Sequence, residues 1–109
     1  MTDLNRLLKI KGVFAAGTFA DDGRLTSFAG EITEDEAAMA AAMCGANMHM
    51  ARMQADGFTA MSGESGWTPA RGFAVFGPKY AVCVMGSAGV FARIGEASLN
   101  EIYKALAAA

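Results

Sequence analysis

The sequence predicts an α+β domain: a five-stranded antiparallel sheet with a long central helix and a helix at each end, in the order α-β-β-α-β-β-β-α. Three features carry this expectation. Thr33-Glu34-Asp35-Glu36 and Ser98-Leu99-Asn100-Glu101 each have the form of a capping box, in which a hydroxyl takes an orphan backbone amide and a carboxylate three residues on reaches back. Asp21-Asp22-Gly23 divides two short apolar runs, and Asp-Gly tolerates the backbone that a tight hairpin demands. Late in the chain, three apolar runs follow one another with only glycine-rich turns between them.

In chain order, Thr2 is expected to cap a short helix from Asp3 to about Lys9, with Asp3 favourable at the positive helix end and Gly12 closing it. Val13 to Ala20 reads as a strand, and Leu25 to Gly30 returns beside it. Leu25, Ser27 and Ala29 fall on one face of that second strand, Thr26 and Phe28 on the other. The central helix starts at Thr33, gains from three carboxylates in its first turn, and is expected to run to about Ala55, with Gly57 as a left-handed stop. Gly63, Gly66 and Pro69 then interrupt residues 58–70, which read mostly as loop with room for a short strand over Phe58 to Met61. The last strands are Gly72 to Phe76, Tyr80 to Met85 and Val90 to Ile94; the middle one is apolar on both faces, which suits a central strand. Leu99, Ile102, Tyr103 and Leu106 form the apolar stripe of the final helix.

The chain has 109 residues, which is expected to make one domain over 1–109 with no linker or repeat. Nine Lys and Arg against eleven Asp and Glu give a net charge of −2, with no basic cluster, so a dedicated nucleic-acid binder is not expected. Only 18% of residues are charged while 53% are hydrophobic, and the mean hydropathy is +0.27. That balance excludes disorder and suggests that a chain this small hides some surface against a partner. Two cysteines, Cys44 and Cys83, make neither a disulfide framework nor a zinc finger, so reduced thiols in a cytoplasmic protein are expected. No apolar run reaches the roughly 18 residues of a membrane span, and Gly17 and Thr18 interrupt the one N-terminal stretch that resembles a signal segment.

The order of elements, Gly12-Val13 entering the first strand before the Asp-Gly hairpin, the alanine-rich central helix and Gly89-Val90-Phe91 entering the last strand together resemble the roadblock/dynein-light-chain family of profilin-like folds. The resemblance spans nearly the whole chain. Met43-Cys44-Gly45-Ala46-Asn47, Gly57-Phe58 and Tyr80-Ala81-Val82-Cys83-Val84 look, more narrowly, like a small bacterial subfamily of unknown function. The resemblance implies homodimers or heterodimers that regulate small nucleotide-hydrolysing proteins (a GTPase or ATPase) or motors. It brings no catalytic residue, no cofactor and no metal.

The central helix carries two apolar stripes. At about 100° per residue, Met39, Met43, Ala46, Met50 and Met53 share one sector, and Ala37, Ala41, Cys44, Met48, Ala51 and Ala55 lie on roughly the opposite side. One stripe suffices for a surface helix, so two suggest burial on both sides: one on the chain's own sheet, the other on a second subunit. We expect the methionines on the sheet, because methionine adapts to a curved surface, and Ala37, Ala41, Cys44, Met48, Ala51 and Ala55 at a homodimer interface.

Catalytic chemistry is hard to assemble from one histidine, and no enzyme activity is expected. Cys44, Met48, His49 and Met50 include soft-metal donors, but His49 points about 140° away from Cys44, so core packing is the better account. Cys83 sits in an apolar strand with no adjacent cation and is expected to be inert. Gly86-Ser87-Ala88-Gly89 leads into a strand, not a helix, and reads as a turn rather than an anion loop. Capping explains most of the acidic cluster Glu31, Glu34, Asp35 and Glu36. Trp67, with Phe58 and Pro69, suits either a partner anchor or a loop tucked onto the core. The functional expectation is a non-enzymatic, dimeric, regulatory interaction module that binds neither nucleic acid nor membrane. The alternative is a small-molecule, redox or metal sensor built around a Cys/Met-lined pocket.

Overall fold

A computed structural model describes residues 3–108. It contains α1 (Leu4–Leu8), β1 (Val13–Phe19), β2 (Leu25–Gly30), α2 (Glu34–Ser62), β3 (Gly72–Phe76), β4 (Tyr80–Met85), β5 (Ala88–Arg93) and α3 (Leu99–Ala108), the order the sequence predicts. The strands form one antiparallel sheet ordered β2-β1-β5-β4-β3.

Local chemistry accounts for the element ends. Asp3 caps α1: its Oδ1 accepts the Asn5 amide at 3.0 Å. The expected cap, Thr2, lies outside the described residues. At the start of α2 the capping box is complete. The Glu36 amide donates to the Thr33 hydroxyl at 3.1 Å, and the Thr33 amide donates to Glu36 Oε1 at 2.9 Å. The β4–β5 turn is tighter than expected, because Met85 pairs with Ala88 and only Gly86-Ser87 separates the strands.

The far end of α2 differs from the expectation. The helix does not stop near Ala55, and Phe58 to Met61 is helical, not extended. Gly57 sits inside the helix, at a cost of only about 1 kcal/mol relative to alanine, which five further residues of regular hydrogen bonding offset. The Thr59 hydroxyl donates to the Ala55 carbonyl and the Ser62 hydroxyl to the Phe58 carbonyl, so these side chains satisfy backbone within the helix. Termination falls to Gly63, whose φ of 71° is the left-handed conformation that an L side chain adopts only with strain. From Asp56 onward α2 buries no residue; it projects past the sheet.

Helices cover both faces. On one face Ala41, Cys44 and Met48 of α2 pack with Phe19 and Val84, flanked by Leu25, Phe73 and Val82. On the other, Leu7 of α1 and Ile102 and Leu106 of α3 pack on Val13, Ala16, Cys83, Ala88, Val90 and Ala92. Only half of the expected α3 stripe reaches this core. Ile102 and Leu106 are buried, whereas Leu99 and Tyr103 are exposed. With α1 only five residues long, two short helices cannot roof a five-stranded sheet, and the β3–β4 end of that face stays open.

Candidate functional site

The two stripes of α2 separate cleanly, in the opposite sense to that expected. Ala37, Ala41, Cys44, Met48 and Ala55 are buried against the chain's own sheet, and Ala51 is half-buried on the same side. The side chains expected at a subunit interface are therefore core. Met39, Met43, Met50 and Met53 are 53–66% exposed. Backbone approach is the physical reason. Gly45 lies so close to the hairpin tip that a Cβ built on it would stand 2.7 Å from the Gly23 Cα. Only the small-residue side of the helix can seat that closely, so the methionines point outward.

The exposed methionines are not isolated. On the same face of the sheet, Val75 and Tyr80 remain half-exposed beyond the helix. Phe14 stacks edge-on against Tyr80 at 5.8 Å, and the Arg93 guanidinium lies 4.7 Å over the Phe14 ring while donating to Glu31 at 2.9 Å.

The two sheet edges differ. β3 (Gly-Phe-Ala-Val-Phe) presents an apolar outer strand with Val75 and Phe76 exposed. β2 carries Thr26 and Ser27, both bonded to the Thr18 hydroxyl, and has an irregular register opposite Thr18 and Phe19. Unpaired, apolar edge strands invite pairing with another chain, and polar or bulged ones resist it.

The remaining candidates are dispersed. Cys44 and Cys83 lie on opposite faces of the sheet, free and buried, and burial raises the pKa of both thiols. Cys44 and Met48 point inward while His49 and Met50 are exposed, so the four soft donors are not brought together. Of the acidic cluster, Glu36 is committed to the cap and Glu31 to Arg93; the Thr33 amide and then its hydroxyl hold the Glu36 carboxyl below its ordinary pKa. Trp67 stacks on Phe58 with ring centres 4.8 Å apart and is half-exposed. Among the described residues, no helix is long and apolar enough to cross a membrane.

The sequence offered a Cys/Met-lined pocket only as an alternative and did not place it. On the α3 face, the open end of the sheet, α3 and the segment 66–71 border a half-open cavity of about 600 Å³ with Cys83 and Met85 in its lining. It is assembled from three distant stretches, and its only local signal was that Leu99 and Tyr103 share a stripe with two core residues.

A sheet with one long helix on one face, two short helices on the other and an apolar outer edge defines a roadblock-type fold. The structure is similar to the "Roadblock/LC7 Domain from Streptomyces avermitilis", with a TM-score of 0.82, 16% identity, and 95% of this chain and 85% of that chain covered. It is similar to MglB of Myxococcus xanthus, with a TM-score of 0.71, 17% identity, and 92% and 79% covered. It also resembles an MglB in a "tetrameric arrangement", with a TM-score of 0.74, 13% identity, and 94% and 75% covered. No curated protein matches the sequence. The chain belongs to the family described as "Uncharacterized conserved protein (DUF2173)", whose model matches residues 3–108.

Proposed function

We propose that this chain is a single-domain, non-enzymatic, cytoplasmic module that acts as a homodimer and regulates a small nucleotide-hydrolysing protein. The observation that carries the reading is the exposed methionine stripe of α2 in combination with the apolar outer edge of β3. A monomer has no use for both, because exposed contiguous apolar surface favours association. A two-fold axis beside β3 would set that strand antiparallel to its twin and turn its unpaired amides and carbonyls into ladder bonds. The same axis would bring the two α2 helices onto one face of a continuous sheet, where methionines fill irregular gaps between helices. The roadblock-type fold supports the partner class, since the roadblock family is one of paired regulators of such proteins. A flexible, methionine-rich surface is also the kind that repacks against a partner. The tetrameric arrangement of an MglB shows a chain of this fold self-associating.

Sedimentation of the wild-type chain and of Met43→Lys with Met50→Lys tests the reading. The expected result is a wild-type dimer at micromolar concentration and a folded monomer for the double variant. A wild-type chain that stays monomeric at that concentration would refute it.

A further inference from the structure

The 600 Å³ cavity lies on the α3 face, on the side of the sheet opposite the methionine stripe, and shares Phe76 with the β3 edge proposed above for assembly. Its volume falls within the range of small-molecule sites, about 300–1,000 Å³. Its walls explain exposure that the core does not: Trp67, Phe76, Leu99 and Tyr103 are 47–56% exposed, and all four line this one space. Arg71 is the one charged residue in its lining. Arg71, Met85 and Leu106 also line an adjoining, more polar recess of about 400 Å³, where a second arginine, Arg52, stands with Ser87 of the β4–β5 turn. No Asp or Glu borders either space, and the one salt bridge among the described residues is Arg93 with Glu31. An aromatic-walled apolar chamber thus opens onto a recess lined by two arginines and by no Asp or Glu.

We infer that this paired cavity binds an amphipathic anion: an alkyl or flat aromatic body in the Trp67–Tyr103 chamber, with an oxyanion head between Arg71 and Arg52. Arginine suits that head because its planar fork donates two parallel hydrogen bonds to a carboxylate or phosphate. The apolar body gains from leaving water against side chains that are otherwise half-exposed. Carboxylate and phosphate monoesters share this chemistry, and affinity distinguishes them.

Trp67 is the chain's only tryptophan and lines the chamber, so its emission reports occupancy directly. The intact protein is titrated with decanoate, decyl phosphate and decanol, each below its micelle concentration. The expected result is a saturable shift of Trp67 emission, at one ligand per chain, with at least one of the two anions; the tighter anion identifies the head group. Decanol should bind about tenfold more weakly or not at all, and Arg71→Gln and Arg52→Gln should each weaken the anion about tenfold. Both arginines are exposed, so these variants keep the fold. Ala74→Phe, which fills the chamber from β3, should abolish the shift, and Tyr103→Glu, on the exposed side of α3, should do so by repulsion. Three results would overturn the inference: no shift with either anion, equal binding of decanol and the anions, or unchanged anion affinity in both arginine variants.

Discussion

Replacing Gly57 and Gly63 by alanine, one at a time, tests the end of α2 through the sign of the effect. Gly57 lies in the helix interior, is exposed, and a Cβ added there meets no atom within 4 Å. Alanine should therefore gain the full helix-propensity difference, about 1 kcal/mol. Gly63 also has open space around its Cβ, but its φ is 71°. Alanine there should lose about 1 kcal/mol, since the left-handed conformation strains a residue with a Cβ. For a chain of this length 1 kcal/mol corresponds to a shift of about 4 °C in melting temperature. The two variants should thus differ by about 8 °C, Gly57→Ala above wild type and Gly63→Ala below, in thermal melts followed by circular dichroism. If α2 ended at Gly57 the signs would exchange. Stabilisation by Gly63→Ala together with destabilisation by Gly57→Ala would refute the 29-residue helix, and no change in either would mean that its last two turns are not formed in solution.

Other expectations follow from the same packing. Gly45→Ala should destabilise by up to about 2 kcal/mol despite its better helix propensity, because overpacking against the Gly23 backbone costs about 1–3 kcal/mol; chemical denaturation measures the net. Ala41→Lys places a charge in the core and should cost at least about 3 kcal/mol, whereas Met43→Lys should change the stability of the isolated subunit by less than about 0.5 kcal/mol. The Glu36 carboxylate stabilises the fold above its ordinary pKa of 4.5, and that contribution disappears as pH falls through its lowered folded value. The melting-temperature advantage of wild type over Glu36→Gln should therefore shrink below pH 4.5. Cys44 and Cys83 should react slowly with iodoacetamide at pH 8 until denaturant is added. Since unfolded thiols ionise near 9.0 while the buried ones stay protonated, folding stability should decline above that pH.

The element order was legible because its signals are local. Thr33 and Glu36, or Asp22 and Gly23, lie within one turn of each other and announce a cap or a hairpin without reference to the rest of the chain. The end of α2 was not, because a glycine inside a helix and a glycine that stops one look alike, and only the backbone separates Gly57 from Gly63. The presence of two stripes on α2 could be read from spacing, but their direction could not. That depends on Gly45 meeting Gly23, a contact between a helix and a hairpin tip with no periodic trace in the sequence. The cavity was hidden for a related reason. Leu99 and Tyr103 have the helical spacing of core residues, and whether they are covered depends on how far a five-residue α1 reaches across the sheet. Arg52 and Arg71 attract no notice nineteen positions apart and come to line one recess only through folding.

The difference between the two outer strands bears on how far assembly can go. A sheet with two receptive edges adds units at either end and grows into a fibre, as stacked strands do in amyloid. In this chain β3 is receptive, while β2 carries Thr26 and Ser27, is irregular in register, and is held by α1 on one side and α2 on the other. Once β3 is taken, no second site of the same kind is left. Were two chains to pair through β3 as proposed, strand addition would end with that pair, and a chain that is 53% hydrophobic would not polymerise by that route.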